Sequence, residues 1–145
     1  MADQTTQSIE IAAPAEQVMA VIADLSSYPE WADGIKRVDV LETDAQNRPT
    51  QARFDLQKAV VKDQYTLAYE WAGDGRSVSW HLVAGEMQKA QNGSYTLVES
   101  GDVTTVTYTL AVELNIPMIG LLRRKAEKVI IDTALKELKR RVEAG

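Results

Sequence analysis

Side chains suited to acid–base or nucleophilic chemistry are few in this sequence of 145 residues. It has no Cys and a single His, which excludes a thiol nucleophile, a disulfide framework, Cys-ligated metals and multi-His metal sites. That histidine, His81, has the strand parity opposite to the large apolar residues, so we expect it at the surface or rim. Gly73-Asp74-Gly75-Arg76 lacks the spacing of a phosphate-binding loop and is typical of a turn. We therefore expect no metal or cofactor, and no catalytic residue can be named.

Carboxylates occur in pairs along the predicted strands, as in Asp39 with Glu42 and Asp55 with Asp63. Division of labour between an acid and a base requires both carboxyl groups in one cleft, where their pKa values separate. These pairs occupy predicted exposed strand faces, so we assign them to solvent contact.

Tyrosine and tryptophan residues are concentrated on the predicted inward face of the strands. Six share the inward parity of their strands: Tyr65, Tyr69, Trp71, Trp80, Tyr95 and Tyr108. Buried tyrosine hydroxyls need hydrogen-bond partners, and four of them are a considerable polar load for a dry core. A cavity where they meet a ligand or water would supply partners. The alternative is an aromatic core whose hydroxyls reach the backbone or the rim.

Alternation of polar and apolar residues predicts the strands that carry these side chains. A short strand over 8–12 is followed by a helix that begins at Pro14 and ends at Ser26–Pro29. From Ile35 to Leu114 the chain predicts six further strands, the clearest of them over 64–71.

Turn signals separate these strands. Gly73-Asp74-Gly75 ends one strand, Asn92-Gly93 predicts a type I′ hairpin turn, and Gly101-Asp102 predicts another two-residue turn. Short hairpin connections make the neighbouring strands antiparallel.

The C-terminal segment predicts one helix of about 25 residues, close to 40 Å long. Its apolar residues form two stripes rotated by more than 90°, which indicates that the two halves meet different surroundings. One half could cover an opening while the other packs on the core; wrapping by a curved sheet or a second subunit is the alternative. The first stripe is Ile119, Leu122, Ala126, Val129, Ile130 and Thr133, and the second is Ile131, Ala134, Leu135, Leu138 and Val142.

Composition and charge bound the function classes. With 45% hydrophobic and 26% charged residues the chain is typical of a globular protein, and its length predicts one domain over 1–145 with its core at about 5–143. No leader or membrane-spanning pattern is present, so we expect a cytoplasmic protein. From residue 116 onward eight basic and four acidic residues give +4, which leaves −9 for the preceding 115 of a net −5. An acidic body argues against a nucleic-acid partner.

Several segments resemble one known family. Residues 9–18 read IEIAAPAEQV, similar to the opening I-x-A-P-x-E-x-V of the polyketide cyclase/dehydrase and lipid-transport group of the START/Bet v 1-like superfamily. Residues 24–31, DLSSYPEW, match that group's D-x-x-x-Y-P-x-W at every fixed position. Residues 93–97, residues 105–108 and Ile116-Pro117 resemble its later landmarks.

The resemblance implies an α+β helix-grip fold: a seven-stranded antiparallel curved sheet around a long C-terminal helix, with two short helices after the first strand. It also implies an apolar cavity for lipids, isoprenoids or polyketides. Members include carriers, sensors and enzymes, so the fold does not decide the activity. Cyclases of the group use polar side chains inside the cavity, whereas the inward stripes here offer tyrosines and no clear base, which favours binding over catalysis.

Three hypotheses follow. The first is binding of a small hydrophobic molecule, and the second is a cyclase or dehydratase in which Tyr65, Tyr69, Tyr95 or Tyr108 donates a proton. The third is an interaction module whose basic helix contacts an acidic partner or an anionic membrane. The chain could be a monomer or a homodimer. The third would use Arg123, Arg124, Lys125, Lys139, Arg140 and Arg141. Candidate ligand-binding residues are Phe54, Tyr65, Tyr69, Trp71, Trp80, Tyr95, Tyr108, Leu110, Leu122, Ala126 and Val129.

Overall fold

Seven strands form one antiparallel sheet in a computed structural model, which describes residues 4–58, 61–116 and 119–145. The spatial order is β1-β7-β6-β5-β4-β3-β2, so the first strand pairs with the last and all other neighbours are joined along the chain. The strands are β1 (Thr5–Ile11), β2 (Ile35–Thr43), β3 (Pro49–Lys58), β4 (Val61–Trp71), β5 (Ser77–Gly85), β6 (Gln88–Ser100) and β7 (Val103–Leu114). The predicted seven-stranded antiparallel sheet is confirmed.

Three helices complete the fold. Helix α1 (Ala15–Ala23) follows β1, and a 3₁₀ turn (Leu25–Ser27) leads into the short α2 (Tyr28–Trp31). Helix α3 (Gly120–Ala144) closes the chain and has the 25 residues predicted for it. Pro117, at the predicted entry to this helix, lies outside the described residues. No helix within the described ranges has the length and apolarity that a membrane crossing requires.

The core lies where α3 packs on the concave face of the curved sheet. Helix α3 contacts β1 and β7 extensively and touches α1 and α2. Its core residues Ile131, Leu135 and Leu138 are buried, as the second predicted stripe requires. Among the described residues of its first two turns none is buried, so the first predicted stripe does not become a second buried face.

A buried glutamate ties α3 to the sheet. Glu127 is 1% exposed; its Oε1 accepts a hydrogen bond from the Thr5 hydroxyl at 2.7 Å, and its Oε2 accepts one from the Val112 N–H at 2.7 Å. Thr5 pairs with Leu110, so Val112 lies beyond the part of β7 that β1 covers. The carboxylate therefore replaces a strand partner for an amide that would otherwise be buried and unpaired.

The turn predictions are confirmed at two places and wrong at a third. Gly75 and Gly101 have positive φ in the β4–β5 and β6–β7 connections, as their turns require. Asn92-Gly93, in contrast, lies inside β6, opposite His81 and Trp80 of β5. The hairpin between β5 and β6 turns at 86–87 instead. Gly93 is needed for a close packing contact rather than for a turn, as described below.

Candidate ligand-binding site on the concave face

An aromatic cluster covers the middle of the concave face. We define it as Phe54, Tyr65, Tyr69, Trp71, Trp80, Tyr95 and Tyr108, all of them sequence-predicted site residues. Strand register brings them together, because Tyr69 pairs with Trp80 across β4 and β5 and Tyr95 pairs with Tyr108 across β6 and β7. The predicted inward parity of these residues is confirmed; their role in ligand binding stays a prediction.

Trp80 is the centre of this cluster. Its ring centroid lies 5.7 Å from that of Tyr69, 5.4 Å from that of Tyr95 and 5.7 Å from that of Tyr108. The indole crosses β6 at Gly93, where an added Cβ would lie 2.3 Å from Trp80 Cζ2. The absence of a side chain at Gly93 thus makes room for the ring, and Trp80 Nε1 donates a hydrogen bond to Gln91 Oε1 at 2.9 Å.

The tyrosine hydroxyls of the cluster have no protein partner among the described residues. Tyr28, from α2, donates to the Ile22 carbonyl at 2.6 Å. No hydrogen bond joins the hydroxyls of the other four tyrosines to the described part of the chain; these are Tyr65, Tyr69, Tyr95 and Tyr108. These hydroxyls are not among the buried side-chain atoms without a partner, so they remain accessible as donors on the concave face.

These hydroxyls influence one another electrostatically. Burial raises the pKa of Tyr69 well above its ordinary value, and Tyr28, Tyr65, Tyr95 and Tyr108 raise it further. Burial is also the main cause of the raised pKa of Tyr95 and of Tyr108, with smaller contributions from neighbouring tyrosines and, for Tyr95, from Glu137. The ring of Phe54 lies between those of Tyr28 and Tyr65, with centroids 6.3 and 5.3 Å away, and the rings of Tyr95 and Tyr108 are 4.6 Å apart. Because burial raises each pKa, the phenols stay protonated near neutral pH.

A buried carboxylate adjoins this region. Asp63, assigned to solvent from the sequence, is 6% exposed and lies on the inward side of β4. Its Oδ1 accepts a hydrogen bond from the Met87 N–H at 3.1 Å, and its Oδ2 accepts one from Gln88 Nε2 at 2.9 Å. The solvent assignment is therefore wrong. Position 63 has the same parity as positions 65, 67 and 69, which face inward. The alternation of the strand, and not the polarity of the side chain, thus decides which face of the sheet Asp63 occupies.

Two glutamines link Asp63 to the aromatic cluster. Gln91 Nε2 donates to Gln88 Oε1 at 2.6 Å, and Gln91 Oε1 accepts the hydrogen bond from Trp80. We call Asp63, Gln88 and Gln91 the polar chain. Sequence reasoning missed all three and also Tyr28; for Asp63 and Gln91 the strand parity was an available signal.

Helix α3 borders the same space with an exposed apolar stripe. At about 100° per residue, Ile119 and Glu137 share one direction, and Ala126 and Ile130 lie within about 20° of it. Glu137 accepts hydrogen bonds from the Asp33 N–H at 3.0 and 3.1 Å, so this direction faces the β2 side of the sheet, away from β1 and β7.

Of the helix residues predicted to bind ligand, Ala126 shares this direction, whereas Leu122 and Val129 lie about 60–80° from it, on the side of the helix opposite the buried Ile131 and Leu138. Leu122 is 51% exposed, Val129 is 57% exposed and Ala126 is partly buried, so they do not pack in the aromatic cluster. Leu110, predicted with them, is buried in β7 opposite Gly93. The structure thus brings eight of the predicted residues together on the sheet and leaves three on an open helix face.

Other predicted features lie away from this face. His81 is exposed on β5, as expected. Of the basic residues on α3, Lys139 pairs with Glu143 at 2.7 Å and Arg141 with Glu30 at 3.0 Å.

Concave surfaces lined by described residues are open. One depression of about 400 Å³ lies beside Trp31, Gly34 and Glu137, and one of about 350 Å³ lies beside Trp71 and Ser94. Neither is an enclosed chamber between the aromatic cluster and the first half of α3.

Comparison with known proteins places this geometry in a family. The family model described as polyketide cyclase / dehydrase and lipid transport matches residues 11–139. A START superfamily protein from Mycobacterium smegmatis superposes with a TM-score of 0.91 at 25% identity, and the match covers 97% of each chain. Among curated proteins, no sequence matches the chain.

Two further solved structures share the fold. A protein from Thermus thermophilus superposes with a TM-score of 0.81 at 23% identity, over 98% of each chain. The Zhui aromatase/cyclase from a Streptomyces species superposes with a TM-score of 0.82 at 14% identity, over 99% of this chain and 94% of that one. At these identities the likeness shows the helix-grip architecture alone.

Proposed function

We propose that this chain, which belongs to the polyketide cyclase/dehydrase and lipid transport family, binds a small hydrophobic molecule between the aromatic cluster and the first half of α3. Storage, transport or sensing of such a molecule in the cytoplasm would each use this binding step.

The observation that carries the proposal is the set of four tyrosine hydroxyls without a partner among the described residues. None of these hydroxyl oxygens is among the buried side-chain atoms without a partner, so each keeps some contact with solvent. A bound molecule with an acceptor oxygen would take the place of water at one or two of these donors, while its apolar part would contact the aromatic rings.

The apolar stripe of α3 supports the same site. Ile119 is 66% exposed and Ile130 is 46% exposed, and both lie on the side of the helix that carries Glu137. Because this side faces the β2 side of the sheet, a ligand between α3 and the aromatic cluster would cover these two apolar side chains.

Space for a ligand would come from the first half of α3. The core contacts of this helix begin at Glu127, so residues 120–126 could move outward without exposing Ile131 or Leu138. Local openings of segments with few buried contacts require little free energy.

Native mass spectrometry and a Nile red titration test the proposal. We expect a co-purifying small molecule or saturable dye binding at one site per chain, and Tyr69→Phe and Tyr95→Phe should each weaken the binding of a carbonyl-containing ligand about 2- to 10-fold by removing one hydrogen bond. His81→Ala, an exposed change on a neighbouring strand, is the control and should bind as the wild type does. Absence of both adduct and saturable binding would refute the proposal.

A second candidate function is cyclase or dehydratase chemistry, and Asp63 favours it. The sequence offered tyrosine donors without a base, whereas the structure adds a buried carboxylate close enough to Tyr65 to raise the pKa of its hydroxyl, after burial, which is the larger cause. A base beside a hydroxyl donor is the pairing that enolisation requires. The test is a reconstituted polyketide-forming reaction with and without this protein; an unchanged product profile would count against catalysis.

A further inference from the structure

We propose, building on the ligand binding proposed above, that the ligand carries a hydrogen-bond-donating head group, best an ammonium, and that the polar chain binds this group through Asp63. The apolar part would then lie along the aromatic cluster. This assigns a chemical class to the ligand, an apolar amine or alcohol rather than a fatty acid.

The position of Asp63 is the first ground. Asp63 pairs with Leu56 across β3 and β4. The next inward pair along the two strands is Tyr65 with Phe54, and both of these residues belong to the aromatic cluster. Asp63 and Tyr65 are two positions apart on β4 and their side chains lie on the same face of the sheet, about 7 Å apart along the strand. A ligand that reached the Tyr65 ring would therefore have its end group beside Asp63.

The partners of Asp63 are the second ground. Both of its hydrogen bonds with described residues come from neutral donors, the Met87 amide and the Gln88 carboxamide. Lys58, which has the inward parity two positions beyond Leu56, pairs instead with Asp33 at 2.9 Å. A carboxylate almost removed from water is costly unless it is paired with a cation or well hydrogen-bonded. Each of its oxygens has accepted one bond here and can accept another.

The chemistry of the polar chain is the third ground. Gln91 Nε2 is directed to Gln88, and Gln88 Nε2 is directed to Asp63, so the amide donors run toward the carboxylate. The end of the chain at Asp63 thus concentrates negative charge and acceptor capacity. It complements a donor-rich head group and repels a carboxylate head group.

Three probes of one chain length test the head group: dodecylamine, dodecan-1-ol and dodecanoic acid, each titrated below its aggregation concentration by displacement of Nile red. For the wild type we expect the amine to bind at least tenfold more tightly than the acid, with the alcohol between them. In Asp63→Asn the amine should lose about tenfold, which removes its advantage over the alcohol, while the affinity for the alcohol should change less than threefold.

Asp55→Asn is the matched control, because Asp55 lies on the neighbouring strand with the opposite parity and accepts a hydrogen bond from Gln64 at 2.8 Å. It should keep the wild-type order. Equal binding of the three probes, tightest binding of the acid, or an unchanged order in a folded Asp63→Asn would overturn the head-group assignment alone. Failure of every probe to bind the wild type would overturn the ligand-binding proposal itself. Because the wild-type order is informative alone, the test stands even if Asp63→Asn does not fold.

Discussion

Replacement of Gly93 by Ala tests the packing of the aromatic cluster most directly. An added Cβ would lie 2.3 Å from Cζ2, 2.4 Å from Cε2 and 2.6 Å from Nε1 of Trp80. Carbon atoms in favourable contact are about 3.5–4.0 Å apart, so the indole must move by more than about 1 Å. That movement disturbs its contacts with Tyr69, Tyr95 and Tyr108 and its hydrogen bond to Gln91.

The expected loss of stability is about 2–4 kcal/mol. Overpacking a well-filled core costs roughly 1–3 kcal/mol, and a lost hydrogen bond adds about 1 kcal/mol. For a domain of this size each kcal/mol lowers the melting temperature by about 2–4 °C, so we expect a decrease of about 5–15 °C. Thermal and urea unfolding followed by tryptophan fluorescence would measure it.

Gly73→Ala is the matched control, because an added Cβ there meets no atom within 4 Å and the φ of Gly73 is not positive. Its melting temperature should stay within about 1 °C of the wild type. Trp80→Phe combined with Gly93→Ala should cost less than the sum of the single changes, since the smaller ring leaves space for the methyl group. A Gly93→Ala protein as stable as the wild type would refute this account of the indole over β6.

Two further predictions concern the tyrosines and α3. Because burial raises the pKa of all five tyrosines, the folded state holds them protonated; their contribution to stability is present below the ordinary phenol value near 10 and is lost as pH rises above it. Tyrosinate absorbance near 295 nm should therefore stay flat through the ordinary phenol value near pH 10 and rise only with unfolding, and a rise centred near pH 10 with intact circular dichroism would contradict the burial. Leu138→Ala should cost about 2–5 kcal/mol in urea unfolding and Leu122→Ala less than about 0.5 kcal/mol, because only Leu138 is buried; similar costs at both positions would show that the first half of α3 is also packed.

The sheet and its inward residues could be predicted because each strand alternates with a period of two. Tyr65, Tyr69 and Trp71 occupy odd positions of β4, and the register of the neighbouring strands then places Trp80 beside Tyr69. Pairing of β1 with β7 is not encoded locally, since it joins residues about 100 positions apart. The family resemblance implied a single seven-stranded sheet, but the partner of β1 was not predicted.

The errors have two physical causes. Asn92-Gly93 has the local preference of a hairpin turn, but the packing of Trp80 on Gly93 decides the conformation there, and this contact between strands leaves no local signal. Asp63 was assigned to solvent by its polarity, although its parity was inward. The donors that hydrogen-bond to its carboxylate belong to Met87 and Gln88, 24 and 25 residues later in the chain. The neighbouring sequence of Asp63 therefore could not show that a buried carboxylate would find hydrogen-bond partners there.

The two halves of helix α3 differ in how much they contribute to the core. From Glu127 onward it contributes buried residues to the core, and Glu127 itself pairs with Thr5 and Val112 of the two strands beneath it. The described residues of its first two turns contribute no buried side chain. Changes there, such as at Leu122, should therefore cost little stability, whereas changes at Leu138 should cost much. The proposed binding would thus use a part of the helix on which the core does not depend.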